Sequence, residues 1–205
     1  MIGTVAGGKK MNKKISTETM VGIGLLTAIV VVLQALAVGI RFGVFNITLV
    51  LVPIIVGVAL YGYWAGAWLG LVFGIVVLIT DAGAFLAINV PGTIVTCILK
   101  GVCAGLLAGL AYKALEGKNS LVAVIVAGVV APIANTGIFL LGCRLFFYET
   151  IKEWAAAAGA SSAGVFMITS FVGINFLVEL AINLVLSTVI VRIIGIGKKM
   201  FLKNK

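Results

Sequence analysis

The sequence predicts an all-α membrane protein, a six-transmembrane-helix bundle with N- and C-termini cytoplasmic, and three observations carry that prediction. Hydrophobic residues make up 62% of the chain and mean hydropathy is +1.29, whereas soluble domains are about 45–50% apolar. Six apolar runs are long enough to be drawn as membrane crossings. Outside those runs the Lys and Arg residues are strongly asymmetric, and cytoplasmic segments are the ones that retain them.

With a rise of about 1.5 Å per residue against roughly 30 Å of hydrocarbon, spans are drawn at 19–40, 46–61, 63–80, 91–113, 120–143 and 165–194. The first runs from the basic N-terminal segment to a short loop, Arg41 to Asn46. The second and third are shorter and meet tightly at Gly62. A loop from Asp81 to Asn89 leads to Pro91 and the fourth span, and the fifth ends near Arg144. The segment RLFFYETIKEWAAAAGASSAG then separates the fifth from the sixth, which opens at Val165. Domain organisation follows: a basic cytoplasmic N-terminal segment at 1–18, a transmembrane domain at 19–194 and a basic cytoplasmic tail at 195–205. An N-in, C-in arrangement places eleven cations inside (Lys9, Lys10, Lys13, Lys14, Lys113, Lys118, Arg192, Lys198, Lys199, Lys203 and Lys205) against Arg41, Arg144 and Lys152 outside. The net charge of +9 is therefore a topology signal, not a nucleic-acid surface. MIGTVAGGKK lacks the apolar core of a cleavable leader, and MNKKISTETM resembles a natural start, so residues 1–10 are expected to be an upstream addition.

Several chemistries have no carriers. There is no GxxxxGK[ST] loop for ATP phosphates, no His for a catalytic triad or an HExxH site, and no paired carboxylates on a soluble helix face. The chain is expected not to be an enzyme and to need no cofactor. Cys97, Cys103 and Cys143 lie in apolar helix without CxxC spacing and read as packing residues, with no metal expected.

Glycines recur every four residues as Gly62, Gly66, Gly70 and Gly74, and again as Gly101, Gly105 and Gly109. This spacing lines one helix face and lets a second backbone approach closely. It suits tight packing within the bundle, or a face that docks a partner or slides against it. A third small-residue pair, Gly24 and Ala28, lies near the cytoplasmic end of the first span.

Lys100 and Glu179 stand inside runs that otherwise read as lipid-spanning. A charge near the bilayer centre costs about 2.5–3.5 kcal/mol on insertion scales, so such residues mark functional sites. Lys100 is nine residues in from Pro91, Asn135 nine from Arg144 and Asn175 ten from Val165. At about 1.5 Å per residue all three lie roughly 14 Å deep. Glu179 and Asn183 follow Asn175 at four and eight residues, stacked on one helix face. One reading is an interhelical Lys100–Glu179 salt bridge with the asparagines as glue. The other is an outward-facing polar pocket in which Lys100 attracts an anion while Glu179 and the amides bond hydroxyls and amides. Asn46 and Asn89 in the outer loops would complete it. The segment 144–164 suits a lid, or an interfacial helix with Trp154 at the headgroups.

From Met11 onward the chain resembles the substrate-binding S components of energy-coupling factor (ECF) vitamin transporters. The resemblance rests on six short spans, a basic N-terminus, GLLTAIVVVLQ, ILKGVCAGLLAG, ANTGIFLLG and NFLVELAINLVL. It implies a multi-pass protein of the cell inner (cytoplasmic) membrane that binds a vitamin from outside through Lys100, Asn135, Asn175 and Glu179. A transmembrane coupling (T) subunit would dock on the Gly24/Ala28 pair, in place of the family's AxxxA-like pair, and two cytoplasmic ATPases would drive toppling and release. The Gly-lined third helix would present a smooth face during that rotation. Lys100, Asn135–Thr136 and the Asn175…Glu179 pattern are most similar to the pantothenate-type group. That group carries Arg at Lys100 and Pro at Val178, which leaves riboflavin, folate, a pyrimidine precursor or a queuosine-like base open as ligands. Riboflavin and folate would want more aromatic stacking than loop-borne aromatics suggest. An ion-coupled secondary carrier using Glu179, or a small intramembrane enzyme, are the readings outside the family; no inverted repeat supports the former.

Overall fold

The computed structural model of the protein describes residues 16–39, 41, 42, 45, 46 and 49–203. The elements run α1 Thr17–Gly39, a two-stranded hairpin of β1 Arg41–Phe42 and β2 Phe45–Asn46, α2 Leu51–Tyr61, α3 Tyr63–Thr80, α4 Gly83–Leu86, α5 Val90–Leu115, α6 Ser120–Phe146, α7 Tyr148–Ala157, α8 Ala163–Phe166, a π-helical segment Met167–Val172 and α9 Gly173–Lys203. The protein is an all-α, multi-span membrane protein; among the described residues five stretches are long and apolar enough to cross: Thr17–Ala37, Tyr63–Thr80, Val90–Leu115, Ser120–Phe146 and Ala163–Ile196.

The second expected span, 46–61, departs from the prediction. Among its described residues it is helical over the 11 residues Leu51–Tyr61, about 16 Å at 1.5 Å per residue. Leu51, Ile54 and Ile55 are fully buried, and α2 packs on α1, α3, α5, α6 and α9. Its apolar run was long enough to read as a span because α2 is covered by protein on nearly every side. Gly62, at φ 91°, turns α2 into α3 in a conformation that a side chain rarely adopts.

The two glycine ladders pack against each other. A Cβ built on Gly66 would meet the Gly105 carbonyl, one on Gly70 the Gly101 carbonyl and one on Gly74 the Cys97 carbonyl, with Gly101 and Gly105 meeting α3 reciprocally. This backbone-to-backbone crossing makes α3 and α5 one unit. The expectation that the third-helix glycine face slides against a partner is thereby corrected, since that face is already occupied. Gly24 differs: nothing lies within 4 Å of its Cβ position, and both Gly24 and Ala28 are on the exposed side of α1.

The last helix is interrupted. The sixth expected span becomes α8, the π segment and α9, with Gly173 at φ 36° between the last two. Depth counted along a continuous helix from Val165 therefore does not apply to Asn175. The α-helix also continues through the expected tail to Lys203.

Gly70→Val or Gly101→Val should cost more than the roughly 1–3 kcal/mol of ordinary overpacking, because the obstruction is backbone. Gly24→Val should leave stability within about 0.5 kcal/mol. Thermal unfolding of the purified variants in detergent checks the contrast.

Candidate functional site

The structured segments leave a cavity of about 270 Å³ in the half of the bundle that carries α4 and the start of α5. Its walls come from Gln34 on α1, Phe73 and Val77 on α3 with Asp81 at its end, Lys100 on α5, and Asn135, Thr136 and Phe139 on α6. Ala82 and Phe85 close one side; Ser170, Phe171 and Val172 of the π segment, with Phe176 and Glu179 of α9, close the other.

Lys100 reaches the cavity because its neighbour Gly101 is turned onto α3, and adjacent helical residues point about 100° apart. Its Nζ lies 5.3 Å from the Phe139 ring centre and 5.7 Å from that of Phe73, a cation–π arrangement. Lys100 and Glu179 both line this cavity. Among the described residues, though, no ion pair at 4.0 Å or less includes either. Of the two readings of these charges, the direct salt bridge is not formed. Asn135 brings a carboxamide to the same cavity, with Oδ1 buried and, among the described residues, without a hydrogen-bond partner.

Of the other sequence-predicted site residues, Asn89 does not line the cavity. Its side chain accepts a 2.9 Å hydrogen bond from Gly92 N and caps α5, with Pro91 in the first turn. A polar loop residue beside a helix start is more economically a cap, and that signal was present in the sequence as Asn-Val-Pro. Asn46 is in β2 and Asn175 in α9; the side chains of both lie outside the described residues.

Sequence reasoning missed Gln34, which is 4% exposed and whose amide in an apolar helix carried the same signal as Lys100. It also missed the aromatic roof. Phe85 meets Phe147, Phe139, Trp154 and Phe171 edge-on at 5.0, 5.7, 5.9 and 6.0 Å, the geometry that ring quadrupoles favour. The segment 144–164 supplies part of it: α7 buries Ile151 and Ala155 and turns Trp154 onto Phe85 and Phe171. Trp154 thus packs on two phenylalanines that line the cavity. Phe85 of the 81–89 loop joins Phe73, Phe139, Phe171 and Phe176 at the cavity, which weakens the argument against stacking ligands.

Residues 18–191 match the family described as the ECF transporter, substrate-specific component. The chain belongs to that family. A solved structure of ThiT from Listeria monocytogenes shares the fold with a TM-score of 0.63 at 18% identity, covering 90% of this chain and 97% of that one. No curated protein matches by sequence. As a substrate-specific component, the chain is a small-molecule-binding part of a transporter and not an enzyme.

Asn89→Ala should lower stability by about 1 kcal/mol, the usual cost of losing an N-cap. Small-molecule affinity, measured by calorimetry on the same detergent-purified protein, should change less than twofold.

Proposed function

We propose that this S component captures a small vitamin-class micronutrient, with pantothenate the best-fitting candidate, from the outer face of the bacterial cytoplasmic membrane. It would pass the ligand inward with an ECF T subunit and two cytoplasmic ATPases. The observation that carries the ligand class is Lys100: a cation within a membrane-spanning helix, held over two phenylalanine faces and, among the described residues, joined to no carboxylate at 4.0 Å or less. An anionic group on the ligand is the partner that such a charge lacks. Pantothenate presents one carboxylate for Lys100, with hydroxyls and an amide for Asn135, Thr136 and Glu179. The cavity, about 270 Å³, falls just below the roughly 300–1,000 Å³ of typical ligand sites, which favours pantothenate over folate or riboflavin on size. Asn175 and Asn46 remain part of the proposed site on the family pattern and loop position.

The orientation follows from charge. With α2 counted as a short second pass the chain makes six passes, both termini on the cytoplasmic side with the eleven cations. Trp64 at the start of α3, 70% exposed, suits the aromatic belt on that side. Gly24 and Ala28, small and exposed on α1, are the proposed seat of the T subunit.

A second reading has one observation behind it. Phe85, Phe139 and Phe171 face the cavity beside the carboxylates Asp81 and Glu179, and an aromatic cage with nearby acids suits a cationic or flat heteroaromatic ligand. Lys100→Met separates the two. It should weaken pantothenate at least about tenfold, as expected for removing a desolvated charge partner, while its uncharged alcohol panthenol changes less than threefold. Equal losses for both would make Lys100 structural, and tighter binding of a cation such as thiamine would favour the cage. Calorimetry and uptake with and without the ATPases are the measurements.

A further inference from the structure

A buried amide on α1 is positioned to take part in ligand recognition. Gln34 is 4% exposed and borders the cavity, and among the described residues its buried Oε1 has no hydrogen-bond partner. Leaving such a group unmade is costly in any interior, and more so where water cannot reach it. Lys100 lies over Phe73 and Phe139 in the same cavity. Asn135 Oδ1 on α6 is likewise buried and unpartnered, and Asn135 lines the same space. Gln34 and Asn135, on separate helices and each with a buried amide oxygen that no described residue bonds, border one cavity that also holds a cation, which describes a complementary solute with one anionic group and hydroxyl or N–H donors.

We propose that Gln34 is a specificity-determining residue, hydrogen-bonding a donor group of the bound solute opposite Lys100. This rests on the cavity being the substrate site. Asn183 supplies the comparison, because it is 2% exposed with an unpartnered Nδ2 but does not line the cavity.

The test uses the full chain in detergent, dialysed free of small molecules, as wild type, Gln34→Met and Asn183→Leu. Methionine keeps the length of glutamine and removes both polar ends. Pantothenate, thiamine, riboflavin and folate are titrated by calorimetry, and thermal unfolding is followed without them. Gln34→Met should raise the unfolding midpoint of the empty protein while weakening whichever probe the wild type binds by about tenfold, with Asn183→Leu leaving that affinity within about twofold. Unchanged affinity in Gln34→Met, or a lowered midpoint in its empty form, overturns the proposal, since the amide would then serve the fold. Should wild type bind a probe other than pantothenate, the pantothenate reading fails while the Gln34 comparison proceeds on that probe. If it binds none of the four, the direction of the midpoint shift decides.

Discussion

The close crossing of α3 and α5 is the contact on which the site depends. In a bilayer, apolar side chains gain little by leaving lipid for protein, so association relies on packing distance and on hydrogen bonds. Gly66, Gly70 and Gly74 against Gly105, Gly101 and Cys97 bring two backbones together along most of α3. That contact also aims the chemistry. With Gly101 pressed on Gly70, Lys100 must point around the side of α5 toward Phe73, one residue short of Gly74. A larger residue in either ladder would part the helices and take the cation off its ring. The same ladders therefore serve stability and the position of a charge.

A second constraint acts on the last helix. Irregular backbone is tolerated at membrane depth only where protein or a cavity covers it, and π segments tend to occur at functional sites. Met167–Val172 obeys both rules: its Ser170, Phe171 and Val172 border the cavity. The break ends at Gly173, whose φ of 36° few other residues adopt. Sliding the register there turns Phe171 toward Phe85 and Phe139 while α9 still presents Phe176 and Glu179 one and two turns on.

What could be read from the sequence divides along physical lines. Lys100, Asn135 and Glu179 were visible because charge and amide are expensive in apolar helix, and the structure brings all three to one cavity. The glycine ladders were visible as spacing, but spacing does not name the partner face, and the two ladders turned out to be each other's. Asn89 was ambiguous because a loop asparagine has two uses, and in the structure its side chain caps α5. The aromatic roof was invisible because it joins residues as distant as Phe85, Trp154 and Phe171, whose approach depends on α7 folding back. Five apolar helices were plain from length; α2 was not, since a short helix buried by neighbours and a crossing helix look equally hydrophobic.

These constraints leave α1 as the element with two different faces. Its apolar stretch is 17% buried, against 39% for α3 and for α5, so it is the span with the least protein around it. Gln34 is on the covered side at the cavity, whereas Gly24 and Ala28 are on the open side. From Gly24 to Gln34 is ten residues, about 15 Å of helix, short enough for α1 to move as a rigid rod. A helix gripped mainly along one edge can tilt at less cost than α3 or α5, which are bound backbone to backbone. A solute bonded to Gln34 adds a contact to that weakly held rod at one end, and a partner on Gly24 and Ala28 would engage it at the other. If a solute bonds Gln34 and a partner seats on Gly24 and Ala28, occupancy of the cavity and presentation of the open face would be linked through one helix, with no need for the α3–α5 unit to change.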